Sequence, residues 1–181
     1  HPSLRHVAPA RRSIGVPTAF NYLGPMTNPA RVRASAIGVA DPEMAEKIAA
    51  VFASRGDHAL IFRGNDGLDE ITITGESQVW ETFNGGVEHH SLTPTDFGIE
   101  CASLDDLRGG DAQHNAQVVH QVLEGIPGPI LNAVLLNAAA GLTAYRPVNN
   151  RPFAERFEEA LQDARQSVES GKAKAVLERW I

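Results

Sequence analysis

The sequence predicts an α/β fold: a parallel central sheet with an appended antiparallel hairpin and C-terminal helices. Three observations carry this expectation. A strand–helix–strand order runs from residue 33 to 62, two β-rich segments flank Asn84-Gly85-Gly86, and helical apolar spacing recurs from residue 112 onward.

Each element follows from local chemistry. Leu4, Val7 and Ala8 fall at helical spacing among Arg5, Arg11 and Arg12, until Gly15 and Pro17 end the run. RASAIGVA (33–40) is a small apolar run of strand length. Asp41-Pro42 then reads as N-cap and first turn of a helix with Met44, Ile48, Val51 and Phe52 on one face. HALIF (58–62) reads as a strand buried on both sides, which makes a βαβ unit. ITIT (71–74), QVWETF (78–83) and VEHHSL (87–92) are β-rich, and the last two are joined as a hairpin. Gly109-Gly110-Asp111 leads into a helix with Ala112, Ala116, Val119 and Leu123 inward. PILNAVLLNAAAGLTA (129–144), apolar nearly all round, reads as a buried helix. Phe153, Phe157, Leu161, Ala164 and Val168 mark an amphipathic helix, ended by Gly171 before a short last one.

Composition narrows the function classes. The 43% hydrophobic and 21% charged fractions are those of an ordinary soluble globular protein. Net charge is −6, from 16 basic and 22 acidic residues, which argues against a general nucleic-acid-coating role. Cys101 is the only cysteine, so neither an intrachain disulfide nor a cysteine-built zinc site is possible, and a reducing cytoplasm is expected. No apolar run reaches the ~20 residues that span a bilayer, so no membrane partner is expected, and the first residues lack the apolar core of a signal peptide.

Candidate chemistry concentrates at two places. Asp66-Gly67-Leu68-Asp69-Glu70 follows a predicted parallel strand, at the carboxyl edge where open α/β sheets bind ligands. Its three carboxylates suit a hard divalent cation such as Mg²⁺, or they form a solvated acidic turn. Arg11 and Arg12 precede GPMTNP, whose backbone is pinned by glycine and proline. A guanidinium there could hold a carboxylate with two hydrogen bonds, although spacing alone favours two surface arginines at a helix end. Asp111 suits an N-cap better than a phosphate turn. His89 and His90 are adjacent on a strand and point apart, so they read as surface histidines. His114 and His120 share no helix face. Cys101, with no basic neighbour, reads as a buried small side chain.

HPSLRHVAPARRSIGVPTAFNYLGPMTNPAR, GNDGLDEIT, LRGGDAQHNA and ILNAVLLNAAAGL, in this order and across nearly the whole chain, resemble the anthranilate phosphoribosyltransferase family. The resemblance implies transfer of a phosphoribosyl group from phosphoribosyl pyrophosphate to the amine of anthranilate, with release of pyrophosphate, in tryptophan biosynthesis. It implies a small helical domain beside a large α/β domain, Mg²⁺ as cofactor, a cytoplasmic homodimer in full-length form, and no nucleic-acid partner. Residues 1–30, with two short helices, would belong to the small domain and its hinge, and residues 31–181 to the C-terminal part of the α/β domain. Position by position, Arg11 matches the arginine that binds the anthranilate carboxylate and His1 a histidine of the anthranilate channel. Gly24 and Pro25 match the turn forming its wall, and Asp69 and Glu70 the acidic pair that holds Mg²⁺.

Arg63, Tyr22 and Met26 depart from the commoner residues at their positions. The family's glycine-rich loop and Lys-His-Gly-Asn motif have no counterpart here. The chain is therefore expected to be the C-terminal half of a longer polypeptide and inactive alone. The alternatives are a pyrimidine nucleoside phosphorylase-type enzyme and a non-catalytic nucleic-acid-binding relative of the same fold.

Overall fold

The computed structural model describes residues 6, 8–16 and 18–181, apart from the side chains of residues 8, 10 and 11. His1, Leu4, Arg5 and Val7 lie outside the described residues, as does the Arg11 side chain. A short helix α1 (Ala8–Ile14) stops at Gly15, whose φ of 68° is left-handed, and a one-turn helix α2 (Leu23–Met26) follows. Then come β1 (Ala34–Gly38), α3 (Pro42–Ser54), β2 (His58–Gly64), β3 (Ser77–Phe83) and β4 (Gly86–Leu92). Four further helices complete the chain: α4 (Ala112–Leu123), α5 (Pro129–Tyr145), α6 (Phe153–Glu169) and α7 (Lys172–Trp180).

The sheet order is β1-β2-β3-β4, with β1 and β2 parallel and the other neighbours antiparallel. The parallel part is thus the single β1–α3–β2 unit, and β3–β4 is the appended hairpin. Its turn is Asn84-Gly85, with φ of 48° and 80° between the paired Phe83 and Gly86. Positive φ at both positions matches strand twist and explains the Asn-Gly pair. Asp41 caps α3 as expected, its Oδ1 accepting from the Glu43 amide at 2.9 Å, with Pro42 in the first turn.

Alternation along β2 sorts its side chains into two cores. Ala59 and Ile61 join Ile48, Phe52 and Trp80 under α3. Leu60 and Phe62 join Val79, Leu136, Phe157 and Leu161 under α5 and α6. A strand with helices on both faces must be apolar throughout, which is why HALIF shows no polar alternation. Tyr22 and Met26 pack on the α3-side core, and Arg55 Nη1 donates to the Met26 carbonyl at 2.5 Å. These contacts fix the α2 segment against the sheet.

Four expectations are corrected. Residues 71–74 form no strand, because side chains and a loop amide take their backbone groups. The Thr72 amide donates to Ser77 Oγ at 2.9 Å, and the Ile73 carbonyl accepts from the Ala102 amide at 2.9 Å. On α4 the expected inward face is mostly exposed: Val119 is 47% exposed and Val122 is the buried residue. One residue of offset turns the stripe by 100° of helix. The all-apolar α5 is buried on one face only, through Leu135, Leu136, Ala139, Ala140, Thr143 and Ala144, while Val134 and Tyr145 are exposed. Cys101 is exposed, since it lies on a loop whose buried apolar neighbour is Ile99.

Candidate active site

Parallel β1 and β2 end on the same edge of the sheet, and the connections leaving them converge there. β1 ends at Gly38, and the loop after β2 folds back so that the Asp69 backbone lies directly over it. A Cβ on Gly38 would sit 1.6 Å from the Asp69 carbonyl oxygen, so only glycine permits this approach. The two strand ends are tied further by the Val39 amide on the Phe62 carbonyl (2.9 Å) and by Arg63 Nε on the Ala40 carbonyl (3.0 Å).

Within Asp66–Glu70 the three carboxylates have different jobs. Asp66 Oδ2 accepts from Thr72 Oγ1 at 2.5 Å and Thr74 Oγ1 at 2.7 Å, while Oδ1 accepts from the Leu68 amide at 3.0 Å. Partial burial alone would raise its pKa, but these hydrogen bonds outweigh it and hold the carboxyl below its ordinary range. Asp66 is therefore the bracket of the loop. Asp69 and Glu70 are exposed, and among the described residues no hydrogen bond or ion pair engages their carboxylates. Glu70 titrates above its ordinary range, first because its carboxyl is partly desolvated and second because negative Asp69 lies beside it. Two adjacent oxygen donors that resist carrying their charges together suit a hard divalent cation, which would relieve that repulsion.

A sign follows from the Glu70 shift. Its raised pKa means that acidification protonates Glu70 at a higher pH than an ordinary glutamate. Asp69→Asn removes the like charge but not the desolvation. The Glu70 midpoint, read from its side-chain carboxyl NMR shift, is expected to move down part of the way; an unmoved midpoint would refute the coupling of the pair.

A cavity of about 270 Å³ is lined by Pro25, Tyr22, Gly38, Val39, Asp41 and Asp69, among others. It brings together Pro25, from the first segment, and Asp69, from the acidic loop. Gly24 and Glu70 adjoin these two residues without lining the cavity. A larger cavity of about 530 Å³ also borders Pro25, on the side facing Arg31 and Arg55, and neither Asp69 nor Glu70 reaches it. Arg12 is exposed on α1.

The described residues also assemble Glu81, Glu88 and His90, with ligand atoms within 4.8 Å of one another. Glu81, however, is already taken: Arg156 grips both its oxygens at 2.9 and 2.7 Å, and His58 Nε2 lies 2.9 Å from Oε1. A guanidinium on the same carboxylate opposes a cation, so this cluster is a structural ion network. His90 is accordingly not a surface histidine: it is partly buried, stacks on Phe153 at 4.1 Å and lies 3.5 Å from Glu81. His89, His114 and His120 are exposed, and Asp111 caps α4 by accepting from the His114 amide at 2.8 Å. Sequence spacing did not single out Gly38, Thr72 or Thr74; the small residue ending β1 was the one available hint.

Comparison with known proteins decides the family. Residues 1–174 match the family described as glycosyl transferase family, a/b domain. The chain belongs to this family. It is 54% identical over 181 residues to anthranilate phosphoribosyltransferase of Arthrobacter sp. (strain FB24), covering all of this chain and 51% of that relative. Against the same enzyme of Acidothermus cellulolyticus the identity is 51%, with the same coverage. Among solved structures of glycosyl transferase relatives, anthranilate phosphoribosyltransferase from Thermus thermophilus superposes with a TM-score of 0.86 at 38% identity, over 99% of this chain and 52% of that one. The enzyme from Saccharomyces cerevisiae in complex with PRPP and Mg gives a TM-score of 0.86 at 29% identity, over 100% of this chain and 51% of that one. The chain thus spans about half the length of the curated relatives it matches. Among the described residues, no helix is long and apolar enough to cross a membrane.

Proposed function

We propose that this chain contributes the anthranilate-wall and metal-wall residues of an anthranilate phosphoribosyltransferase, within a cytoplasmic polypeptide of the relatives' length that acts as a homodimer. The reaction joins the anthranilate amine to the ribose carbon of phosphoribosyl pyrophosphate and releases pyrophosphate. The observation that carries the reading is one cavity, at the carboxyl ends of the parallel strands, walled by both Pro25 and Asp69. Residues 1–30 would serve as small helical domain and hinge, and residues 31–181 as the C-terminal part of the α/β domain.

Asp69 and Glu70 would hold Mg²⁺, which supplies charge neutralisation for the departing pyrophosphate. The remaining work is positioning. Arg11 orients anthranilate through its carboxylate, and His1, Gly24 and Pro25 line its channel. An aromatic amine is largely neutral at pH 7, so its lone pair is free without a dedicated base. Holding that amine against the ribose carbon converts a two-body encounter into a near-attack geometry.

The test is consumption of anthranilate in the presence of phosphoribosyl pyrophosphate and Mg²⁺ by the polypeptide containing this chain. Absence of turnover, or phosphorolysis of a nucleoside instead, would overturn the proposal. In the same assay Arg11→Ala is expected to raise the anthranilate KM, by about 2–4 kcal/mol of lost charged contact. An unchanged KM would remove Arg11 from the site.

A further inference from the structure

The segment carrying Asp69 and Glu70 has no strand partner, yet both of its flanks are pinned. On the N-terminal flank Leu68 is held twice: its amide donates to Asp66 Oδ1 at 3.0 Å, and its carbonyl accepts from the Gly64 amide at 2.9 Å. On the C-terminal flank Ile71 is held by one side chain from α5. Asn137 Oδ1 accepts from the Ile71 amide at 2.9 Å, and Asn137 Nδ2 donates to the Ile71 carbonyl at 2.9 Å. The same Nδ2 donates to the Ala133 carbonyl at 2.9 Å, which locks the carboxamide to its own helix. The orientation of this amide is unambiguous, because the Ile71 amide can only donate and its carbonyl can only accept. Asn137 thus replaces a neighbouring strand with a single carboxamide, paired to Ile71 as a β-bridge would be.

This arrangement is more than satisfaction of buried polar groups. Ile71 is 2% exposed and anchors in the core beneath α5, whereas Asp69 and Glu70 immediately before it are exposed. Only those two residues lie between Leu68 and Ile71, so the clamps on either side set where both carboxylates stand. We propose that Asn137 and Asp66 are positioning residues for the Asp69–Glu70 pair, which they hold in a geometry ready for a divalent cation. The inference rests on the metal-binding role given above to that pair.

Mn²⁺ is the probe, with free ion measured by electron paramagnetic resonance, alongside amide hydrogen exchange and circular dichroism on the polypeptide containing this chain. Asn137→Ala and Asp66→Ala are each expected to weaken Mn²⁺ binding at least about tenfold, as loss of outer support does at metal sites. Exchange at the Ile71 amide in Asn137→Ala, and at the Leu68 amide in Asp66→Ala, is expected to speed up at least about tenfold, as a local opening would produce. Thr143→Val removes a side-chain hydrogen bond from the same helix without touching the loop, and should change neither. If Asn137→Ala fails to fold, Asp66→Ala carries the test alone. Folded variants that bind Mn²⁺ within about twofold of wild type and exchange at unchanged rates would overturn the positioning role. Mn²⁺ binding unaffected by Asp69→Asn would instead overturn the metal reading, and amide exchange then decides the positioning by itself.

Discussion

Arg156→Ala is expected to destabilise the chain by about 3–5 kcal/mol, a large share of the roughly 5–15 kcal/mol that holds a typical domain together. Glu81 on β3 and Arg156 on α6 are 2% and 10% exposed at their side chains, so each depends on the other for solvation. Glu81 accepts two parallel bonds from the guanidinium, while His58 and His90 approach from β2 and β4. Burial alone would push its pKa up; Arg156 foremost, then the two histidines, hold it far below the ordinary glutamate range. Truncating one partner leaves the other as a buried, unpaired charge, and that penalty dominates. Replacing both, as Glu81→Leu with Arg156→Met, should cost less, because neither member of the ion pair is left as a buried unpaired charge and only His58 and His90 lose their carboxylate partner. The sign with pH follows from the depressed pKa. The pair's contribution is fully present above the unfolded carboxyl's pKa of about 4.3 and is lost as pH falls through the lower folded value. Urea midpoints at neutral and acid pH for wild type, the single variants and the double variant would check both points. A single variant within about 1 kcal/mol of wild type at neutral pH would remove this network from the account of stability.

The elements legible in the sequence are those whose determinants are local. Asp41-Pro42 announces a helix start because cap and first turn are neighbours, and Asn84-Gly85 announces a hairpin because both positions need positive φ. The acidic loop could be found from its place after an apolar strand. What the sequence could not separate was the division of labour within it. Asp66 and Asp69 are the same residue type, and only the positions of Thr72 and Thr74 show that Asp66 is consumed as a bracket. Partners far apart in the chain were equally invisible: Asn137 meets Ile71 across 66 residues, and Arg156 meets Glu81 across 75. The misread strand at 71–74 has the same cause. Its β-rich alternation is real, but its partners are an asparagine on a helix and a serine hydroxyl, and no periodicity encodes those.

Gly38→Ala is expected to reduce turnover at least about 100-fold in the polypeptide containing this chain, through Asp69 and without altering any polar group. The added methyl would lie 1.6 Å from the Asp69 carbonyl oxygen and 2.5 Å from its carbonyl carbon, both backbone atoms. Relief therefore requires the loop to lift, and with Asp69 in its proposed metal-holding role a displacement on the order of 1 Å is enough for such a loss. Overpacking should cost a further ~1–3 kcal/mol of stability, so activity must be compared at a temperature where both proteins are folded. Gly75→Ala is the matched control: it lies in the same loop, an added Cβ there meets nothing within 4 Å, and it should be near neutral. Asp69→Ala with Glu70→Ala sets the limit, where loss of the metal's electrostatic contribution should lower Mg²⁺-dependent turnover by several kcal/mol, on the order of 1000-fold or more, with the fold intact. If the glycine acts through the metal wall, part of the Gly38→Ala defect should be recovered at high Mg²⁺, whereas the double variant should recover none. A Gly38→Ala enzyme with wild-type turnover would show that the close approach of Asp69 to β1 does not set the site.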